Sequence, residues 1–397
     1  LGDPRQNWAG ITTAIRTEVD FDKANIEYIE FWVLDPFIDN ENGKVVVKGK
    51  DEGVPNSTGG KLIFQLGSIS EDVARDSKHA FENGLPPEGD LAAGPAQKTE
   101  WGYVTTQQYL TNSFDNVSTS RRNQDVGLDG IPSDKETGFF ESYLTSLPAE
   151  AREKVSADPS GDDWKFYLGN DLDASDAQLL ERYKNYNNMD GNSPIIANDP
   201  IARSGSQVPD NEDLNADNTL SELEEYYEYE VDLRKGQLDI GKPFVVDKIT
   251  VQPANVPGDQ VSWYLFRIPV RDVRKKVGNI HGFKSIKYIR MILTEFQQPV
   301  VLRLANFRMV GSRWRKYQSD LRTGADIDQE PFNDFTVSVM NLEENGFPEP
   351  GSPTSAYVIP PGVRRDRDNT SSVPRQLNEQ SVQVCVDELK DGDARAI

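Results

Sequence analysis

Two twelve-residue stretches of this chain carry oxygen-bearing residues at the spacing with which a loop wraps a calcium ion. Such a loop offers oxygens at positions 1, 3, 5, 7 and 9 and a bidentate carboxylate at position 12. The fuller match runs from Asp213 to Glu224: Asp213, Asn215, Asp217 and Ser221 supply side-chain oxygens, Thr219 a carbonyl and Glu224 the closing carboxylate. Leu220 fills the apolar position 8, and Asn218 replaces the glycine of position 6, a substitution that the left-handed tolerance of asparagine permits. The second match runs from Asp125 to Glu136, with Asp125, Asp129, the Ile131 carbonyl, Ser133 and Glu136 as donors and Gly130 at position 6. Gly127 leaves its position 3 without a side-chain ligand. Ca2+ is therefore the one cofactor expected, against the plainer alternative that Asp, Asn, Ser and Gly gather here as turn and cap residues.

Other chemistry finds less support. A nucleophilic triad would have to use His79 or His281, and neither stands in a nucleophile-elbow or cysteine-protease context. Two histidines and one cysteine, Cys385, make neither a His-rich metal site nor an internal disulfide. Thr58-Gly59-Gly60-Lys61 ends like a phosphate loop, but Leu62 stands where magnesium needs Ser or Thr, so a turn is expected. With 65 acidic residues any carboxylate pairing can be drawn, which empties that signal for glycoside hydrolysis. The expectation is a protein that is not an enzyme. Trp8, Trp32, Trp101, Trp164, Trp263 and Trp314 are weighed as sugar-stacking platforms, and Trp32 and Trp263, lying in apolar strands, are expected in the core.

The charge pattern narrows the partners. A net charge of -22 argues against nucleic-acid binding over the whole surface, because phosphate contacts need Lys and Arg. The charges are also segregated. From Gly205 to Asp232 there are ten acids and no base; from Arg267 to Lys316, thirteen bases against two acids. Arg271, Arg274, Lys275 and Lys276 could meet an anionic partner, and docking against the acidic arm is the preferred expectation.

The elements that must position these residues are mainly β. No stretch approaches the ~18 apolar residues of a spanning helix, and no series of alternating barrel-wall segments is seen, so no direct membrane span is expected here. An internal repeat is offset by 260 positions (286 minus 26): Ile26–Trp32 lies over Ile286–Ile292, with Phe21 and Phe283 shortly before each. A second strand follows each copy, Leu62–Ile69 and Val300–Phe307, and a third opens each, near Trp8–Ile15 and Val261–Ile268. The expected fold is two repeated β-sandwich, jelly-roll-like modules, 1–100 and 233–320, flanking an acidic, partly helical insert, 101–232, with the EF-hand-like loops. Helices are expected at Ser175–Tyr183 and after Pro148. A tail, 321–397, carries strands Phe335–Leu342 and Ser381–Val386 around a loop with Pro348, Pro350, Pro353, Pro360 and Pro361. The first residues, Leu1-Gly2-Asp3-Pro4, lack an initiator Met and a leader pattern, so an internal segment is expected.

Several ordered stretches together resemble one family. They are Ala24–Phe37, Leu66–Asp72, Phe81–Pro86, Gln124–Gly130, Tyr183–Asn188, Phe283–Ile286, Ile359–Val363, Leu377–Ser381 and Asp391–Ala396. The chain resembles the SprA/Sov family over essentially its whole length. That resemblance implies an outer-membrane translocon of the type IX secretion system, with roles in gliding motility and in export of folded cargo. It implies as partners the remainder of the translocon chain, PorV-type shuttle and plug proteins, and exported cargo. It further implies a cell outer membrane location, for which the extracellular-facing side is preferred over the periplasmic. A glycan-binding surface module is the alternative.

Overall fold

The structure is a computed structural model that describes residues 3–38, 43–45, 53–92, 94–107, 111–115, 117–194, 205–253, 260–311, 335–346, 356–363, 365, 367–368, 375–376 and 381–386. In chain order the strands begin β1 (Trp8–Ala14), β2 (Ile26–Leu34), β3 (Lys44–Val45), β4 (Val54–Pro55), β5 (Lys61–Ser68), β6 (Ala96–Lys98) and β7 (Tyr103–Thr105). Helices α1 (Ser118–Gln124), α2 (Ser133–Phe139), α3 (Glu141–Ser146), α4 (Ala149–Val155), α5 (Asn170–Ala174) and α6 (Leu179–Arg182) follow. The strands resume as β8 (Glu225–Asp232), β9 (Val245–Val251), β10 (Val261–Pro269), β11 (Lys275–Val277), β12 (Tyr288–Thr294) and β13 (Leu304–Gly311). Four tail strands close the order, β14 (Phe335–Met340), β15 (Arg367–Asp368), β16 (Arg375–Gln376) and β17 (Ser381–Val386). The expected tail pair exists as β14 against β17. Trp314, Pro348, Pro350, Pro353, Leu377–Gln380 and Asp391–Ala396 lie outside the described residues.

Two antiparallel sheets make the body, one in the order β1-β12-β5-β8-β11 and the other β13-β2-β10-β9. Period-2 alternation explains them, since successive strand side chains point to opposite faces. Ile29, Phe31 and Val33 of β2, Leu62, Phe64 and Leu66 of β5, Tyr227, Tyr229 and Val231 of β8, and Tyr264, Phe266 and Ile268 of β10 fall into one buried core. Phe31 stacks on Phe266 of its own sheet at 5.4 Å and tilts against Phe64 of the facing sheet at 5.2 Å.

Two separate jelly-roll-like modules therefore do not form. The repeat is present, but its copies interlock. The first copy contributes β1, β2 and β5 and the second β10, β12 and β13, and each middle strand lies in the other copy's sheet. The order β1-β12-β5 thus maps onto β10-β2-β13. The two marker aromatics meet: the Phe21 N–H donates to the Phe283 carbonyl at 2.8 Å, and both rings are buried. The reason is geometric. β1 and β5 are not neighbours and neither are β10 and β13; β12 fills the first gap and β2 the second, so each copy completes the other's sheet.

The outer faces carry ion pairs across strands. Glu30 of β2, 2% exposed, accepts from Arg267 of β10 at 2.7 Å and from Arg308 of β13 at 2.6 Å. On the other sheet Arg290 of β12 donates to Gln65 of β5 and holds Glu224 with both terminal nitrogens. The segregated charges are satisfied internally where Arg274 pairs with Glu230 and Arg271 with Asp22. Trp32 and Trp263, expected in the core, sit half-buried on the outer-facing positions of β2 and β10, because the alternation gives the inward positions to their neighbours.

The chain between β5 and β8 is a long excursion that leaves and returns at paired neighbours, with Ser68 opposite Glu225. The helix after Pro148 is present as α4, with Pro148 at its N-cap. The one expected over Ser175–Tyr183 is only α6, since Asp176 takes a positive φ of 49° and Gln178 is extended. Strand β8, read in sequence as part of the acidic insert, is instead an inner strand of the five-stranded sheet.

Two outcomes follow from this packing. Phe31→Ala lowers unfolding stability by about 3–5 kcal/mol, the range for a buried aromatic truncation, measured by denaturant melts. Replacing residues 69–224 by an Asn-Gly turn, which suits two directly paired strand ends, leaves a cooperatively melting β-sandwich by circular dichroism, because none of the described residues of that segment belongs to the core between the sheets; a fragment limited to residues 1–100 stays unfolded.

Candidate metal centre

Three segments of the excursion meet at a group of carboxylates. The first runs from the turn at 125–131 into α2, whose Glu136 is fully buried. The second is the loop Asp158-Pro159-Ser160-Gly161-Asp162-Asp163, and the third is the stretch ending at Asp190. Backbone bonds knit them: the Trp164 N–H donates to the Asp190 carbonyl and the Asp190 N–H to the Asp162 carbonyl, both at 2.9 Å. Carboxylate oxygens of Glu136, Asp158 and Asp162 lie within 4.8 Å of one another, as do those of Glu136, Asp163 and Asp190. Gly127 makes this closure possible. Its φ is +70°, and a Cβ there would stand 2.1 Å from an Asp162 carboxylate oxygen.

The group is held in place by donors that satisfy only part of it. Glu136 accepts from the Ser160 N–H at 3.3 Å, while its Oε1 is buried with no hydrogen-bond partner among the described residues; the same is true of Asp129 Oδ2. Ser133 Oγ donates to Asp190 at 2.6 Å, Ser160 Oγ to Asp162 at 3.1 Å, and the Gly161 and Asp162 N–H groups to Asp158. Among the described residues no lysine or arginine forms an ion pair with Glu136, Asp158, Asp162, Asp163 or Asp190. Burial pushes the Asp129 carboxyl up to about 8, with Asp162 adding to it, and pushes Asp162 up to about 7, with Glu136 and Asp190 adding to it. Glu136 and Asp190 are raised as well, by burial first.

The expected donors are distributed unevenly. Of the 125–136 set, Glu136 belongs to the group, Asp129 lies near enough to feel the charge of Asp162 and Glu136, and Ser133 supports the group through Asp190. Asp125 turns away and accepts from the Ser193 N–H at 2.9 Å, and Ile131 packs inside, its N–H bonded to Asp129. The 213–224 set binds itself. Asp213 accepts from the Asp217 and Asn218 N–H groups, Asn215 accepts from the Asp217 N–H, and Asp217 accepts from both the backbone and the hydroxyl of Thr219. The Ser221 N–H is taken by Glu71, and Glu224 is turned to Arg290. Asp158, Asp162, Asp163 and Asp190 were missed in the sequence. Asp158, Ser160 and Asp162 nevertheless repeat the alternate-residue oxygen spacing that marks positions 1, 3 and 5 of a calcium loop.

A family model described as a motility-related/secretion protein, the SprA N-terminal family, matches residues 139–397. The chain belongs to this SprA family. No curated protein matches it. The matched region holds only the second copy of the repeat, whereas both sheets need β1, β2 and β5. The folded unit of this family member thus begins well before the matched region. Among the described residues no helix is long and apolar enough to cross a membrane.

A cavity of about 650 Å³ has Trp101, Phe140, Tyr143 and Met189 among its lining residues, together with Asp129 and Asp162. Trp101 and Tyr143 are each 49% exposed. Deeper in the same excursion Glu82, fully buried, accepts from the Val126, Gly127 and Asp210 N–H groups, and burial raises it well above the ordinary carboxylate range. Burial likewise raises Asp125 to about 7 and Asp210 to about 6.

These raised carboxyls have a signed consequence for stability. Each binds its proton more tightly in the native than in the unfolded chain, so their contribution is fully present below pH ~4 and is lost as pH rises through ~6–8. In chelator, the melting temperature of the excursion is therefore higher at pH 5 than at pH 8, a difference followed by thermal melts with near-ultraviolet circular dichroism.

Proposed function

We propose that this chain is a non-catalytic structural segment of the outer-membrane translocon of the type IX secretion system, serving protein export and gliding motility. The SprA family match over residues 139–397 carries this reading. Two further features support it. His79 is tied up structurally, 2.5 Å from Asn211 and edge-on to Phe81, rather than poised beside a nucleophile. The interlocked sandwich, braced on its outer faces by Glu30 with two arginines, has the build of a rigid spacer. In this proposal the segment lies at the cell outer membrane on its extracellular-facing side and works with the rest of the translocon chain, PorV-type shuttle and plug proteins, and exported cargo.

The exposed Trp101 and Tyr143 at the cavity favour a second reading, in which the segment binds a glycan by ring stacking.

The test is genetic. In a gliding bacterium with a type IX system, the parent gene is altered so that residues 69–224 are replaced by an Asn-Gly turn. The expected result is loss of cargo from the cell surface and medium, and of gliding, with the parent chain still recovered in the outer-membrane fraction. Undiminished export would overturn the translocon reading, and loss of surface glycan binding with normal export would favour the second.

A further inference from the structure

Glu136 makes a demand that no protein group in its surroundings meets. It is fully buried, one carboxylate oxygen has no hydrogen-bond partner among the described residues, and four aspartates from two other chain segments bring oxygens to it. A buried carboxylate without a compensating partner is costly, and several together repel one another. The missing partner is a positive charge. Since Lys and Arg do not supply it among the described residues, the geometry points to a bound divalent cation.

The donor chemistry selects the ion. Every ligating group is a carboxylate oxygen, with no imidazole or thiolate among the five, which excludes the preferences of zinc and copper and suits a hard cation. Calcium accepts six to eight oxygens in irregular geometry, whereas magnesium demands near-octahedral order and retains water. A cage assembled from one helix, one tight loop and one bridge residue is of the irregular kind. We propose that Glu136, with Asp158 and Asp162 on one side and Asp163 and Asp190 on the other, holds calcium and so locks the three segments of the excursion together. This site is independent of the translocon reading, and its anchor is Glu136, common to both carboxylate triads.

The intact chain tests it by a crossover in stability. Calcium titration by calorimetry, and terbium luminescence sensitised by Trp164 next to Asp163, should both saturate in the wild-type chain. Glu136→Gln and Asp162→Asn should each weaken calcium at least tenfold, while Glu224→Gln, whose carboxylate is held by Arg290, should leave this site's affinity unchanged. In calcium the wild type should melt higher than Glu136→Gln. In chelator the order should level or reverse, because the glutamine keeps the acceptor for Ser160 and removes the unmet charge. A Glu136→Gln chain that melts below wild type in chelator would mark Glu136 as an ordinary packing residue and overturn the site. So would a wild type that shows no heat and no melting shift at millimolar calcium, or variants that bind as the wild type does.

Discussion

The body of this protein rests on the exchange of two strands. β2 and β12 are the middle strands of the two repeat copies, and each is flanked on both edges by strands of the opposite copy. Every backbone ladder made by β2 or β12 therefore joins residues more than two hundred positions apart, as in Phe31 against Phe266 or Arg290 against Gln65. Such contacts carry a large loop-closure entropy, and they reward it only when both copies are present. The aromatic contacts of Phe31 and Phe64 then fix the spacing of the sheets, so neither sheet has a core without the other.

This arrangement leaves room for the excursion at little cost to the sandwich. Its ends are neighbours on β5 and β8, so its length is open to change while the ladder continues beneath it. The excursion must then organise itself with few apolar residues, and it does so with buried carboxylates that accept backbone N–H groups. Glu82 clamps Val126, Gly127 and Asp210; Glu212 clamps Val73 and Ala80; Glu71 clamps Asn215 and Ser221. A carboxylate with two oxygens can tie two distant segments at once, which a hydroxyl does less well. Part of the acidic balance is therefore internal architecture. The Glu136 group differs from these clamps because its oxygens outnumber the donors around it.

For a member of a motility and secretion family the division is coherent. A sandwich closed by long-range strand pairing resists partial opening, and the excursion carries a cavity and a buried acidic group of its own. The family region begins inside the excursion, so the part of the chain upstream of it is not an appendage but the other half of the same sheets.

The sequence by itself determined which segments become strands, because alternation of apolar and polar residues is local: β1, β2, β5, β10, β12, β13, β14 and β17 were legible to within a few residues, as was the repeat. It also named the residue types that suit a hard cation. Strand β8 escaped because Glu225-Tyr226-Tyr227-Glu228-Tyr229-Glu230-Val231-Asp232 reads first as an acidic run, although its alternation places Tyr227, Tyr229 and Val231 in the core. Which sheet each strand joins was decided only by the tertiary structure, since a repeat copy has the same pattern whether it closes on itself or on its partner. The same holds for the two loops. Spacing favoured Asp213–Glu224, yet its oxygens are taken by its own amides and by Arg290, whereas Glu136 met aspartates that folding carried in from positions 158–190. Ligand spacing along the chain describes one loop, and burial and neighbours decide whether its oxygens are left in need of an ion.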